Sequence, residues 1–277
     1  MPFLVKLCLG VLALYLAAVA LLFAVQRRLI YAPSAAAPPP AVLAARGLEP
    51  WGAHAARPAR PQRGVAVVFH GNAGAAADRA YFADALAARG LTTVLVEYPG
   101  YGGRAGAPSE AALVADGLAA VEQAHAAFGA PVTVWGESLG AGVAAAVLAR
   151  TRVPVRGAVL VTPWATLPDL SAERYPWVPV RALLRDRYDS VANLRAWGGP
   201  VGVALAERDA VIPPHHAERL ATAVGAARVW RFPQAGHNTW PADAGAPWWD
   251  EAVALALGDA ALGDVARTAP VGAGVRP

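Results

Sequence analysis

A serine, a carboxylate and an imidazole can together turn a weak hydroxyl into a nucleophile, and Ser138, Asp209 and His237 occur in a context suited to that task. A serine hydroxyl attacks poorly at neutral pH. It needs a histidine to take its proton, and that histidine needs a carboxylate to fix its tautomer. Ser138 sits in Gly136-Glu137-Ser138-Leu139-Gly140, between an apolar strand ending at Trp135 and an Ala-rich helical run from Val143 to Arg150. That G-x-S-x-G turn lifts the serine clear of a sheet, and glycines two before and two after leave room for it. The N–H of Leu139 opens the helix and points where an oxyanion would form. Asp209 follows a predicted strand, Val201 to Leu205, and His237 follows the last one, Val229 to Phe232. Gly236 permits close backbone approach beside that histidine. The chain order serine, acid, histidine, with each residue after a different strand, fits one nucleophile-elbow site. The loop His70-Gly71-Asn72-Ala73-Gly74 follows the strand Val65 to Phe69, and the backbone N–H of Asn72 is the expected second oxyanion donor. An ordinary strand–turn–helix corner with an incidental serine is the bland alternative.

Other residues invite weaker readings. Asp169 also follows a predicted strand, Ala158 to Thr162, and is an alternative acid. Glu207 reads as solvated, and Glu137 as either a local partner of the elbow or a surface residue. His215-His216 looks like a metal pair, yet neighbours on a helix do not face one site, and no third ligand is evident. His70 reads as a brace for its loop, His54 and His125 as surface residues. Trp248 and Trp249 suit the packing of a final helix, Pro247 to Leu257. Asn72-Ala73-Gly74 lacks the G-x-x-x-x-G-K-[ST] pattern of a phosphate loop. These residues thus offer no metal cluster and no phosphate loop.

The elements that must position these residues alternate regularly from Gly64 onward. Continuous apolar strands separated by helices predict an α/β fold with a mostly parallel sheet covered on both faces. A helix is expected from Pro108-Ser109-Glu110 to Phe128, stopped by Gly129. The expected organisation is an N-terminal membrane anchor over 1–31, a spacer and poorly patterned edge segment over 32–63, and a catalytic domain over 64–258. Within that domain 163–199 reads as a small cap, and 259–277 as a disordered tail. The anchor rests on residues 3–25, apolar except for Lys6 and long enough for a hydrocarbon core of roughly 30 Å. Arg27-Arg28 closes it, and Tyr31 suits the membrane interface. A signal peptide cut after Ala18-Val19-Ala20 and a buried core helix are the competing readings. Pro33 to Pro40 reads as a stiff spacer, and a short edge hairpin is allowed around Leu48 to Ala53. The 277 residues carry 24 Lys+Arg and 20 Asp+Glu, and 56% are hydrophobic. The excess of four positive charges is scattered arginine, with no basic run beyond Arg27-Arg28, so nucleic-acid binding is not expected. The single cysteine, Cys8, excludes an intramolecular disulfide.

Taken together, the motifs FHGNAG (69–74), EYPGYGG (97–103), PSE (108–110), GESLG (136–140), ERDAVIP (207–213) and GHN (236–238) resemble the α/β-hydrolase superfamily. The anchor ending QRRLIYAPS (26–34) and the stretch RYPWVPVRALLRDRYDS (174–190) bring the resemblance closer to its single-pass, membrane-anchored α/β-hydrolase-domain proteins. The resemblance covers residues 26 to about 257. It implies the α/β-hydrolase fold, a Ser138–His237–Asp209 triad and no cofactor. The segment Ala41 to Gly64 departs from the pattern, because the two first strands usual there look eroded. The resulting expectation is a serine hydrolase of ester or thioester acyl groups, held in a bacterial inner membrane, with lipid or acylated-protein substrates. A catalytically dead scaffold and a serine peptidase on the same fold are the alternatives. A peptidase reading would draw on Arg174, Arg181, Arg185 and Arg187 in the cap to recruit acidic groups.

Overall fold

The computed structural model describes residues 2–33, 36–59 and 62–259. The tail expected over 259–277 lies, apart from Asp259, outside the described residues. In chain order the elements are α1 (Pro2–Ile30), β1 (Ala32–Pro33), α2 (Pro40–Ala45), β2 (Glu49–Trp51), β3 (His54–Arg57), β4 (Gly64–Phe69) and β5 (Ala73–Gly74). Next, after a short 3₁₀ turn, are α3 (Ala80–Ala87), β6 (Leu91–Val96), α4 (Glu110–Phe128), β7 (Val132–Glu137), α5 (Leu139–Leu148) and β8 (Val155–Val161). The chain continues through α6 (Leu167–Arg174), α7 (Val180–Leu183), α8 (Ser190–Trp197), β9 (Val201–Ala206), α9 (Pro214–Val224), β10 (Arg228–Phe232) and α10 (Trp248–Leu257).

One 8-stranded sheet has the order β10-β9-β8-β7-β4-β6-β3-β2. The pairs from β10 to β6 are parallel, and β3 and β2 close the edge antiparallel. Side chains alternate across a strand, and β4 shows the consequence. Val65, Val67 and Phe69 pack with α4 and α5 on one face, while Ala66 and Val68 pack with α3 and α10 on the other. Every residue of β4, β6, β7 and β9 is buried, which explains why these strands read as unbroken apolar runs. The first layer is rich in Ala and Val and also buries Phe69, Tyr98, Tyr101 and Tyr188. The second holds a cluster of tryptophans, with Trp249 packed against Trp248 at 4.3 Å and edge-on to Phe82 at 5.4 Å. Each such ring, fully buried, contributes several kcal/mol at about 25 cal/mol per Å² of apolar area. Helix α4 starts where the sequence places it: Ser109 Oγ accepts from the Ala112 N–H at 3.2 Å, and Gly129 ends it in the left-handed region.

The segment before β4 is better formed than its pattern predicts. The stretch 41–63 carries α2 and a hairpin in which Glu49 faces Ala56 and Trp51 faces His54, with Gly52-Ala53 as the turn. Strand β3 holds only two buried residues, Ala55 and Ala56, so it carries little periodicity of its own; pairing with β6 fixes it. At the end of α1, Ala32–Pro33 pairs in parallel with Ala73–Gly74. Tyr31, expected at a membrane interface, is buried at 3% exposure, and its hydroxyl lies 3.0 Å from that of Tyr188. Helix α1 is long and apolar enough to cross a membrane, and its most apolar stretch is only 6% buried against the protein, which is not the burial of a core helix. Phe3, Leu4, Leu14 and Leu21 are among its exposed apolar side chains.

Candidate active site

The elbow follows from where β7 stops and α5 begins. Ser138 alone connects them, at φ 53° and ψ −116°. A non-glycine residue there is strained by about 1–3 kcal/mol and persists only when its surroundings over-determine it. They do. The Ser138 N–H donates to the Val161 carbonyl on β8 at 2.9 Å. A Cβ on Gly140 would run into the Phe69 carbonyl oxygen, and one on Gly136 would meet the backbone of Gly140 and Ala141. Those two glycines are therefore required by close packing of the elbow on β4 and on α5, and not by their own backbone angles.

The structure brings the three sequence-named residues together. His237 Nε2 lies 3.0 Å from Ser138 Oγ, and His237 Nδ1 lies 2.7 Å from Asp209 Oδ2. Asp209 and Ser138 are buried, and Asp209 Oδ1 accepts from the N–H groups of Val211 and Ile212, both at 2.8 Å. The carboxylate is thus held at both oxygens. With Nδ1–H donated to it, Nε2 is left as the acceptor for the serine hydroxyl. The histidine loop is closed by the Gly236 N–H donating to Thr239 Oγ1 at 2.8 Å. Asn72 and Leu139 both line the open pocket that contains Ser138 and His237. The Asn72 side chain faces away from catalysis. Its Oδ1 accepts from the Ala32 N–H at 2.8 Å and from the Tyr101 hydroxyl at 2.9 Å, so the segment after α1 pins the loop.

His70 braces this loop as expected: Nδ1 is 2.7 Å from the Gly71 carbonyl, and its ring lies 4.1 Å from that of Tyr98. Tyr98 donates to the His70 carbonyl at 2.9 Å, and burial pushes its own pKa well above the ordinary tyrosine value. Glu137 is not a surface residue. It is buried beneath the elbow, accepting from Arg79 Nε and from the Tyr81 hydroxyl, both at 2.9 Å. Burial, then the Glu137 charge, raises the Tyr81 pKa. Residues 56 and 58 apart make that network, and no local pattern announces it. Asp169 is excluded as the acid by its partners, Arg181 Nε at 3.0 Å and Arg219 at 2.7 Å. Partial burial opposes its ionisation, but the hydrogen bonds from Arg219, Thr166 and Arg181 outweigh it and lower its pKa.

The histidine pair differs from expectation. His215 Nε2 and His216 Nε2 both reach Glu173 Oε2, at 2.9 and 3.0 Å, so a carboxylate does face the pair and clamps α6 to α9. His54 is half-buried, accepting from the Glu97 N–H at 3.2 Å, and burial lowers its pKa; His125 is exposed as expected. Glu207 is exposed, and Trp248 and Trp249 pack α10 against the sheet.

A sequence profile described as serine aminopeptidase, S33, matches residues 60–188, which include the elbow but neither Asp209 nor His237. An uncharacterized protein of Mycobacterium tuberculosis is 38% identical over 228 residues, covering 77% of this chain and 80% of that one. Lysophosphatidylserine lipase ABHD12 of Xenopus tropicalis is 27% identical over 187 residues, covering 60% of this chain and 48% of the lipase. Among solved structures, TT1662 from Thermus thermophilus superposes with a TM-score of 0.59 at 22% identity, covering 78% of this chain and 98% of that one. At that identity the superposition shows the fold alone.

Proposed function

We propose that this chain, which belongs to the α/β-hydrolase superfamily, is a membrane-anchored serine hydrolase that cleaves carboxylic ester or thioester acyl groups through an acyl-enzyme. One observation carries the reading: the unbroken path from Ser138 Oγ through His237 to Asp209, at 3.0 and 2.7 Å. Ser138 Oγ attacks the acyl carbonyl while His237 Nε2 takes its proton. Charge gathers on the carbonyl oxygen, where the N–H groups of Leu139 and Asn72 are the donors; losing one such donor typically costs about 10²–10³ in rate. Collapse of the tetrahedral adduct breaks the bond to the leaving alcohol or thiol, which receives the proton from His237. Water, deprotonated by His237, then hydrolyses the acyl-serine and regenerates Ser138. Asp209 stabilises the imidazolium at each stage without itself taking the proton.

The profile's description favours a second reading, an aminopeptidase. Such an enzyme needs an acidic group near the serine to hold the substrate's ammonium. Among the described residues lining the pocket the one carboxylate is Glu137, already engaged by Arg79 and Tyr81. Ester or thioester substrates therefore fit better. The apolar α1 and the lipase among the relatives support a lipid substrate at a membrane surface. The test is fluorophosphonate labelling of the detergent-solubilised full chain, beside Ser138→Ala and His237→Ala. Labelling of wild type that is lost in both variants supports the assignment. Folded wild type that resists the probe returns the reading to a membrane-tethered scaffold. Comparing ester with peptide turnover separates the two enzymes.

A further inference from the structure

We infer that α1 is more than an anchor: it forms one side of an acyl-binding groove that runs from the bilayer into the catalytic pocket. This rests on the serine-hydrolase reading above and adds to it the class of substrate, a long-chain acyl ester or thioester presented from the membrane.

Residues recurring at helical spacing put one stripe of α1 toward the cap, with Val19, Leu22 and Phe23 facing Val178 and Leu183. Between them lies a shallow, almost wholly apolar groove. It adjoins the catalytic pocket: Leu29, Ile30, Ser171 and Tyr175 line both this groove and the pocket that holds Ser138 and His237. From Val19 to Ile30 the helix rises about 16 Å, enough to run beside an extended alkyl chain.

Polar contacts fasten α1 to the cap beyond one end of the groove, at Tyr15, and part-way along it, at Gln26, with apolar lining on either side of Gln26. Tyr15 donates to the Trp177 carbonyl at 3.0 Å. Gln26 Oε1 accepts from the Arg185 N–H at 2.8 Å, and Arg27 grips Asp186 with two bonds, at 2.8 and 3.1 Å. The Arg185 guanidinium lies 4.2 Å over the Phe23 ring, a charged rim beside an apolar interior. A helix that only tethered the domain would need neither these fastenings nor an apolar groove beside the catalytic pocket. An alkyl chain is the occupant that fits: it needs no hydrogen bond, and it can leave the bilayer along exposed α1 without crossing water. A protein segment would bring backbone N–H and C=O groups that this lining cannot satisfy.

The experiment measures kcat/KM of the full chain in detergent for p-nitrophenyl laurate and p-nitrophenyl butyrate, and reads their ratio. Leu22→Trp and Val178→Trp, which fill the groove, should lower the laurate-to-butyrate ratio by about tenfold or more, since each methylene excluded forfeits roughly fourfold. Leu21→Trp, on the exposed side of α1 at 63% exposure, should leave the ratio at the wild-type value. Phe23→Ala, which widens the groove, should raise the ratio of palmitate to laurate, and serves if the tryptophan variants fail to fold. A ratio that neither tryptophan variant moves, or that Leu21→Trp moves equally, overturns the groove. Wild type that neither turns over butyrate nor takes the fluorophosphonate label overturns the hydrolase reading instead, so the two failures are distinct.

Discussion

Ser138 lies between two surroundings made in different ways. Behind it, the elbow, the acid loop and the histidine loop hang from the ends of adjacent parallel strands, and their polar atoms are paired and buried. In front, the pocket is closed by pieces far apart in sequence: the end of α1, Trp164 and helix α6. The contacts there are mostly apolar, with a few polar fastenings. The rear can be rigid because the sheet fixes it on every side. The front is where the chain selects what reaches the serine. Substitutions behind Ser138 should therefore abolish chemistry, and those in front should redistribute it among substrates.

The largest effect should come from the rear. Ser138→Ala is expected to remove about 10⁶ of rate enhancement, as in triads that act as a unit. Residual ester turnover near wild type in purified Ser138→Ala would place the chemistry elsewhere. Asp209→Asn should come next. It keeps the shape but lets the histidine adopt the wrong tautomer, a change that costs about 10⁴ in kcat in a serine-protease triad. Steady-state kcat with an unchanged circular dichroism spectrum tests it. A loss of only a few-fold would mean that the backbone, and not the carboxylate, orients His237.

Glu137→Gln should sharpen the contrast through stability. Glu137 and Arg79 form an ion pair whose side chains are 7% and 17% exposed. Removing the negative charge leaves the guanidinium uncompensated beneath the elbow, and breaking one partner of such a pair costs about 3–5 kcal/mol. Urea unfolding should shift accordingly. A shift within about 0.5 kcal/mol, as at an ordinary surface site, would show that water reaches this pair.

The same contrast explains what could be read from the chain beforehand. The elbow, the acid loop and the histidine loop were legible because each is a short strand–turn pattern in which nearby residues constrain one another. The sheet core was legible for the same reason, as its strands are apolar without interruption. The front was not. Tyr31 follows an apolar run and two arginines, which locally reads as a membrane interface; its true partner, Tyr188, is 157 residues away. Outside the front, strand β3 is concealed because His54-Ala55-Ala56-Arg57 has too few apolar side chains to declare a period, and only its pairing with β6 makes it a strand. Glu173, which meets His215 and His216, lies 42 and 43 positions from them, and nothing near either histidine points to it.

The smallest effect tests how firmly the front is tied to the domain. The hydroxyls of Tyr31 and Tyr188 meet at 3.0 Å in a buried setting. Tyr31→Phe strands the Tyr188 hydroxyl, which should cost about 1–3 kcal/mol, whereas replacing both by Phe should cost less, since no polar atom is left unpaired. Burial raises the pKa of both phenols above the ordinary value, more than their mutual hydrogen bond offsets for Tyr31. The unfolded chain therefore ionises first as pH rises. The stability each phenol contributes is fully present below the unfolded pKa of about 10 and falls as pH climbs from there toward the raised folded value. The double Phe variant lacks these two phenols, so its stability should decline less steeply between about pH 9 and about pH 11. Parallel alkaline declines in wild type and the double variant would mean that water reaches these hydroxyls, and that α1 is joined to the domain more loosely than the buried pair implies.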